Sequence, residues 1–247
     1  QISKLIMGND NQTNYDEASK LWDYWIEVGG NAFDNAHIYG NGLMEKLLGK
    51  WQRSRNNLKN IILIAKGAHT PNCNPDSLSS QLEESLERLQ SNNIDIYIMH
   101  RDNKEIPVGE FIDVLNDEKS KNKLRIFGAS NWSLERFIEA NVWAKKNNKS
   151  GFSILNNNLS LCKMIKPLWD GCVSSNDEKI LDYLEKTKTA HLSWSSQGRG
   201  YFLSDKKVQE IENQIRKNET WRKPGEHSSG PLSCFDSKDN RERKNRS

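Results

Sequence analysis

Apolar positions along the first 200 residues alternate between a strand-like and a helix-like period. Short apolar runs of strand length are separated by longer segments in which apolar residues recur every three or four positions. The predicted strands lie at 2–8, up to about Asp34, at 61–66, at 94–99, up to Ala129, up to about Asn156, and at 190–195. The predicted helices lie at 16–28, 42–52, 76–90, from about 109, 134–146, 177–186 and 205–217. This regular alternation predicts parallel strands covered by helices.

Two connections are longer than such a fold normally needs. Residues 157–176 form a long link after the sixth predicted strand, at the end of the sheet where functional residues are expected. Trp169 in this link is a candidate for the wall of a substrate pocket, with plain surface packing as an equal alternative. After the predicted helix 205–217 the chain loses its apolar period. We therefore expect a domain at 1–218 and a basic polar tail at 219–247 that is disordered. The segment GPLSCF at 230–235 is the one weak candidate for a further strand.

Charge and hydropathy exclude several classes of protein. The chain has 36 Lys and Arg against 33 Asp and Glu, a net charge of +3. Residues 222–247 alone hold seven basic and four acidic residues, so the rest of the chain is neutral. The tail lacks the regular basic and aromatic pattern of a nucleic-acid-binding arm, and no apolar run is long enough to cross a bilayer. We expect a cytoplasmic protein with neither nucleic acid nor membrane as partner. The chain has no charged-then-apolar leader, and since it does not begin with Met a removed leader stays open.

Cysteine and histidine positions give no sign of a metal site. The four cysteines, at 73, 162, 172 and 234, have no C-x-x-C spacing and are too few for a disulfide framework, so we interpret them as reduced thiols. His69 and His191 have no neighbouring ligands in the sequence and are interpreted as structural. The segment Gly198-Arg199-Gly200 lacks the third glycine of a dinucleotide-binding fingerprint. No metal is predicted.

Four ionisable residues stand at or just after the ends of three successive predicted strands: Asp34, Tyr39, Lys66 and His100. Strand ends meet on one face of a (β/α) barrel, so these side chains are expected to converge. Singly, each has an ordinary explanation as an ion pair, a packed aromatic ring or a buried imidazole.

Together the four residues indicate proton transfer to a carbonyl oxygen. A nearby ammonium lowers the pKa of a tyrosine, a carboxylate holds the ammonium in place, and an imidazole positions the substrate oxygen. None of these groups supplies a hydride, so a reductant must come from a cofactor.

The segments around these residues resemble motifs of the aldo-keto reductase family, in the family's order. FDNAHIYGNGLMEKLLGKW, IAKG and IYIMHRDN are similar to its second, third and fourth strand motifs. LRIFGASNW, ILNNNLSL and HLSWSSQGRGYF are similar to its fifth, sixth and seventh. The resemblance implies an α/β fold of the (β/α)₈ TIM-barrel type, incomplete here in that we identify no eighth strand.

The resemblance also implies a cofactor site. Ser130, Asn131 and Asn156 would hold the nicotinamide, Asn156 standing where the family usually has the longer Gln. Trp194 would stack on the nicotinamide ring. The pyrophosphate would lie against Ser195, Ser196 and Gln197.

The implied activity is reduction of an aldehyde or ketone to an alcohol, with Tyr39 as proton donor and a small carbonyl compound as substrate. NADP(H) is expected rather than NAD(H), although the segment that usually decides between them is not recognisable. The alternative is a non-catalytic or weakly nucleotide-binding interaction protein, or an incomplete product, built on the same barrel.

Overall fold

The computed structural model describes residues 1–202 and 221–222. Their contacts form two compact units. The first unit comprises 1–157 and 182–192, and the second comprises 158–181 with the described residues from 193 onward. Three predictions lie outside the described residues and stay predictions: the helix 205–217, the candidate strand 230–235, and the boundary between 218 and 219.

The first unit is built on a parallel sheet of seven strands. In chain order the strands of the structure are β1 (Met7–Gly8), β2 (Ala32–Asp34), β3 (Ile62–Gly67), β4 (Ile94–Met99), β5 (Leu124–Ser130), β6 (Ile154–Asn156), β7 (Lys163–Met164), β8 (Ala190–His191) and β9 (Trp221–Arg222). Strands β1 to β6 follow one another across the sheet and β8 lies beside β6. All six pairings are parallel. The predicted α/β class with successive parallel strands is confirmed.

Helices connect most of the strands, as the period of the sequence predicts. They are α1 (Tyr15–Glu27), α2 (Leu43–Arg55), α3 (Pro75–Leu89), α4 (Val108–Ser120), α5 (Leu134–Lys146) and α6 (Glu178–Thr187). Asn14, Asn74 and Ser133 begin α1, α3 and α5 by accepting hydrogen bonds from backbone N–H groups of the first turn. The observed helix starts lie within one residue of the predicted ones.

One face of the sheet is packed against the helices. The Phe33 ring of β2 lies 5.3 Å from the Trp51 ring of α2, measured between centroids, and the Tyr97 hydroxyl of β4 donates to the Leu78 carbonyl of α3 over 3.1 Å. The Phe33, Trp51 and Tyr97 side chains are all fully buried. This layer is the main hydrophobic core of the unit.

The other face of the sheet carries a second apolar cluster, in which Ile64, Ile96, Ile98 and Ile154 pack together. Side chains alternate between the faces of a strand, so every second residue shares this face. Lys66 follows Ile64 by two positions, and His100 follows Ile98 by two positions. The alternation therefore places both polar side chains at the carboxyl ends of strands, on the face of the isoleucine cluster.

The sequence overestimates the two outermost strands. The strand predicted at 2–8 is paired only at β1. Ser3 instead donates its amide to the Asn31 side chain and its hydroxyl to the Leu5 carbonyl, local bonds that compete with strand pairing. The strand predicted at 190–195 is paired only at β8, with one further bridge from Asn158 to Trp194. Ser195 has a φ of 50°, a left-handed conformation that ends an extended segment.

The second unit contains most of the long link that the sequence shows at 157–176. Its β7 pairs antiparallel with β9. A small buried cluster holds it together, formed by Cys162, Met164, Cys172 and Tyr201, with Leu168 and Trp194 packed at its border.

The described residues contain neither a metal-binding cluster nor a membrane-spanning helix. No group of three His, Cys, Asp or Glu side chains among them is placed to hold a metal ion. None of the described helices is long and apolar enough to cross a bilayer. Three of the cysteines, at 73, 162 and 172, are free thiols, and the fourth lies outside the described residues.

Candidate active site

Tyr39 stands on a turn that is tied to the strand bearing Lys66. Beyond the end of β2, the Asn35 amide donates to the Ile64 carbonyl over 2.9 Å, and the His37 amide donates to the Lys66 carbonyl over 2.8 Å. The chain then enters the 3₁₀ turn Tyr39–Gly42. These backbone bonds fix the Tyr39 segment beside β3.

The turn depends on left-handed backbone conformations. Gly40, Asn41 and Gly42 have φ values of 53°, 52° and 84°. Glycine adopts this region without strain, and Asn tolerates it better than most residues. A side chain at Gly42 would also place its Cβ 2.6 Å from the guanidinium carbon of Arg88. The φ value of Gly42 thus favours glycine, and a side chain there would also displace the Arg88 guanidinium.

Arg88 supports this turn from α3. Its Nη1 donates to the His37 carbonyl and lies next to Glu45 Oε2 of α2, each at 3.3 Å. Its Nη2 donates to Glu84 Oε2 over 2.6 Å, and Glu84 also lies 2.9 Å from His37 Nε2. One guanidinium therefore joins two helices to the segment that leads into Tyr39. Glu84 and Arg88 have the i, i+4 spacing of a helical ion pair, but nothing in the sequence marks His37 and Glu45 as further partners of Arg88.

Asp34, Lys66 and Tyr39 lie together, as predicted. Lys66 Nζ donates to Asp34 Oδ1 and lies 5.1 Å from the centroid of the Tyr39 ring. The Lys66 side chain is 3% exposed and that of Asp34 is 23% exposed. The ammonium is thus almost removed from water, with a carboxylate and a phenol ring as its neighbours.

His100 joins the same group from the end of β4. Its ring meets the Tyr39 ring edge-on, with centroids 5.7 Å apart and planes at 83°. The residue is 7% exposed, and its Nδ1 is buried without a hydrogen-bond partner among the described residues. The structure therefore brings all four predicted catalytic residues to one place.

The surroundings shift the pKa values of Tyr39, Lys66 and His100. Burial raises the pKa of Tyr39 above its ordinary value, and the Lys66 charge opposes that effect without overcoming it. Burial acts to lower the pKa of Lys66, but Asp34 and Tyr39 outweigh it and the net pKa is raised. Burial, aided by the Lys66 charge, holds the pKa of His100 well below its ordinary value. At neutral pH the site holds a phenol, an ammonium and a neutral imidazole.

The direction for Tyr39 corrects the sequence-based expectation. The predicted effect of Lys66 is present, since its charge lowers the pKa of Tyr39. The net shift is nevertheless upward, because burial favours the uncharged phenol more strongly than the ammonium favours the phenolate. Tyr39 therefore keeps its proton across the neutral range.

Next to His100 lies a buried patch of neutral polar side chains. Ser130 Oγ donates to the Asn156 carbonyl over 2.7 Å, and Asn131 Nδ2 donates to Ser130 Oγ over 3.0 Å and to the His100 carbonyl at 3.4 Å. Asn156 Nδ2 donates to the Leu192 carbonyl over 2.6 Å. Ser130, Asn131 and Asn156 are each less than a tenth exposed. The three residues predicted to hold the nicotinamide thus form one group beside the catalytic set.

Comparison with known proteins accounts for this arrangement. The model of the Aldo/keto reductase family matches residues 4–240. The chain belongs to the aldo/keto reductase family. The aldo-keto reductase AFTS1 of Alternaria alternata is 27% identical over 243 residues, which cover 80% of this chain and 64% of the relative. A probable voltage-gated potassium channel subunit beta of Oryza sativa is 28% identical over 163 residues, covering 60% of this chain and 48% of the relative. The chain thus spans about half to two thirds of the length of these relatives.

The fold of this family member is shared with solved structures. An aldo/keto reductase from Klebsiella pneumoniae, solved in complex with NADP and acetate, has a TM-score of 0.68 at 17% identity. The match covers 88% of this chain and 73% of that one. The expected TIM-barrel type is confirmed, with seven strands of the parallel sheet described here.

The remaining predicted residues of this aldo/keto reductase belong to the second unit. Asn158 Nδ2 donates to the Trp194 carbonyl over 2.9 Å, Ser195 accepts from the Gly198 amide over 2.9 Å, and Ser196 accepts from the Leu161 amide over 3.3 Å. The Trp194 ring is partly buried against the cluster of the second unit, and its Nε1 is buried without a partner among the described residues. The cofactor contacts predicted for Trp194, Ser195, Ser196 and Gln197 stay predictions.

Trp169 is also in the second unit. Trp169 is 54% exposed, and the Arg199 guanidinium lies over its ring, 5.2 Å from the ring centroid. The predicted role of Trp169 in a substrate pocket stays a prediction.

His69, which is interpreted as structural from the sequence, lies beside the four predicted catalytic residues. Its ring meets the His100 ring edge-on, with centroids 4.8 Å apart and planes at 81°. Its position three residues after Lys66, in the loop that follows β3, is consistent with this placement, because loops at the carboxyl ends of barrel strands line the catalytic face. Whether His69 has more than a structural role stays open.

Proposed function

We propose that this chain reduces an aldehyde or ketone to an alcohol with a nicotinamide cofactor, Tyr39 being the proton donor. The observation that carries the proposal is the convergence of Asp34, Tyr39, Lys66 and His100, with a phenol, an ammonium and a neutral imidazole in contact. Nothing else in the described residues needs these four groups together, since the sheet is already held by its two apolar layers.

The residues divide the work on the carbonyl oxygen. Tyr39 is protonated at neutral pH and gives its proton to the oxygen as negative charge develops there. Lys66 stabilises the phenolate that remains, and Asp34 keeps the ammonium charged and in place. His100 is uncharged and offers a ring N–H to position the oxygen without competing as an acid.

The buried polar patch fits a nicotinamide carboxamide. Ser130, Asn131 and Asn156 supply hydroxyl and amide groups and carry no charge, which suits a neutral amide ligand. The cofactor, when bound, supplies the hydride that none of the side chains can provide. The patch adjoins His100 through the hydrogen bond from Asn131 to the His100 carbonyl, so it lies next to the group proposed to hold the substrate oxygen.

NADP(H) is proposed as the cofactor rather than NAD(H). Support comes from the Klebsiella pneumoniae aldo/keto reductase of the same fold, which was solved with NADP. The basis for the choice in this chain is the resemblance alone.

A second candidate is a non-catalytic interaction protein. The likeness to a probable potassium channel subunit beta favours it, since that relative is described by its assembly rather than by a reaction. The coupled site argues for catalysis instead, because a buried ammonium and an unpartnered buried imidazole nitrogen cost stability.

The Tyr39→Phe variant tests the proposal. It removes the hydroxyl and keeps the ring that contacts His100 and Lys66, so the fold and cofactor affinity should be retained. Turnover of 4-nitrobenzaldehyde with NADPH should fall by about 10² to 10⁴-fold, the usual contribution of a general acid. Wild-type turnover in the Phe variant would refute the role of Tyr39, and absence of turnover in the unmodified chain would favour the interaction protein.

A further inference from the structure

His69 is a second imidazole at the candidate active site, and the reaction proposed above does not use it. Its ring meets that of His100 edge-on, with centroids 4.8 Å apart. His100 is the residue proposed to position the substrate oxygen. His69 is partly exposed, whereas His100 is buried. A substrate oxygen held by His100 would therefore lie close to the His69 ring.

The hydrogen bonding of His69 defines what its free nitrogen can do. Nδ1 lies 2.8 Å from the Thr70 carbonyl oxygen. A carbonyl only accepts, so Nδ1 carries the hydrogen and Nε2 of the neutral ring is left with a lone pair. Burial lowers the pKa of His69, aided by the Arg101 charge, which keeps the ring neutral at pH 7. Among the described residues Nε2 has no hydrogen-bond partner and is not one of the fully buried atoms.

We propose that His69 is a specificity-determining residue whose Nε2 accepts a hydrogen bond from a hydroxyl group of the substrate. The preferred substrates are then hydroxyaldehydes and hydroxyketones, with the hydroxyl near the reacting carbonyl. This inference rests on the proposed carbonyl reduction. A hydroxyl fits because it donates, whereas a second carbonyl or an ether oxygen has nothing to offer a lone pair.

Kinetics with a matched pair of aldehydes test the proposal. Lactaldehyde carries the hydroxyl next to the carbonyl, and propionaldehyde lacks it. The measured quantity is the ratio of their kcat/KM values in each protein, because the aldehydes differ in intrinsic reactivity. His69→Phe keeps a flat ring against His100 but cannot accept a hydrogen bond. The ratio should fall about threefold to tenfold in this variant, the value of one neutral hydrogen bond, while propionaldehyde changes less than about twofold.

His69→Gln supplies the control for a purely structural role. Its amide oxygen can accept a hydrogen bond, so the ratio should recover toward that of the unmodified chain. If His69 only packs against His100, His69→Phe will keep the ratio or lose activity equally on both aldehydes, and either result overturns the proposal.

A binding measurement separates this proposal from the activity on which it rests. If the unmodified chain reduces neither lactaldehyde nor propionaldehyde, the proposed function fails, and the role of His69 is decided by NMR on the ¹⁵N-histidine-labelled chain. Lactaldehyde should move the His69 Nε2 resonance, assigned by its loss in His69→Phe, and propionaldehyde should not. No shift with lactaldehyde, or equal shifts with both, overturns the proposal.

Discussion

Replacing Lys66 by Met tests the electrostatic centre of the site. Met keeps most of the side-chain length and removes the ammonium, which lies 5.1 Å from the centroid of the Tyr39 ring. At an effective dielectric constant of about 20, a charge pair at that distance is worth about 3 kcal/mol. In the Lys66→Met variant this stabilisation is lost for the phenolate that forms when Tyr39 gives up its proton. We expect aldehyde reduction to slow by about 100-fold.

The same change has a separate cost in stability. Asp34 loses its ion-pair partner while its side chain is only 23% exposed. Leaving one member of a buried pair without its partner costs about 3 kcal/mol here, at the lower end of the usual range because Asp34 keeps some contact with water. The double variant Asp34→Asn, Lys66→Met carries no uncompensated charge, so it should unfold at a higher temperature than Lys66→Met and remain equally slow.

The pH profile of the reverse reaction distinguishes the electrostatic role from simple damage. Alcohol oxidation needs Tyr39 ionised, so its rate rises as pH increases through the pKa of that residue. Without the Lys66 charge nothing opposes the effect of burial, the pKa of Tyr39 rises further, and the rise in rate moves to higher pH. Thermal denaturation identifies the range in which the variant is folded. A folded Lys66→Met protein with the pH profile of the unmodified chain would refute the coupling.

Three further outcomes are expected. Arg88→Met removes the support beneath the Tyr39 turn and should lower kcat by about tenfold, whereas Lys46→Met, which removes an exposed cation lining the same surface cleft as Arg88, should not change kcat. Gly42→Ala places a side chain at a φ of 84° against the Arg88 guanidinium and should cost about 1 to 3 kcal/mol in denaturant unfolding, with Gly8→Ala, where nothing lies within 4 Å, as the control. Deleting 222–247 should leave calorimetric affinities for NADPH and NADH unchanged and within about tenfold of each other; a strong NADPH preference lost on deletion would contradict this.

The positions of Lys66 and His100 could be predicted from the two-residue alternation of strands and from the location of the strand ends. Each follows an isoleucine stripe by two residues, and each stands at the end of a strand whose length is clear from the sequence. In a parallel sheet, neighbouring strand ends lie side by side, so their approach follows from the topology. Asp34 could be placed by the same argument.

The orientation of His69 could not be predicted, because it depends on a loop rather than on a period. Ala68, just before it, has a φ of 57°, a left-handed conformation that alanine rarely adopts and that no local preference indicates. The support given by Arg88 was missed for a related reason. Its partners His37 and Glu45 come from segments outside α3, and their positions relative to Arg88 are set by packing of α2 against α3. Side-chain contacts of this kind exist only once the tertiary structure is formed.

The shared face of Lys66 and the isoleucines determines which changes of length the chain can tolerate. Deleting one residue from β3 ahead of Lys66 would bring Ala65 to the inner side and turn the ammonium into the layer of helices. A change of length in the loop from Ala68 to Asn74 leaves that alternation untouched. The chain should therefore tolerate changes of length beyond the strand ends but not within the strands. Exchange of the loop changes which side chains contact His100. A one-residue change of register inside β3 would separate Lys66 from Asp34 and Tyr39.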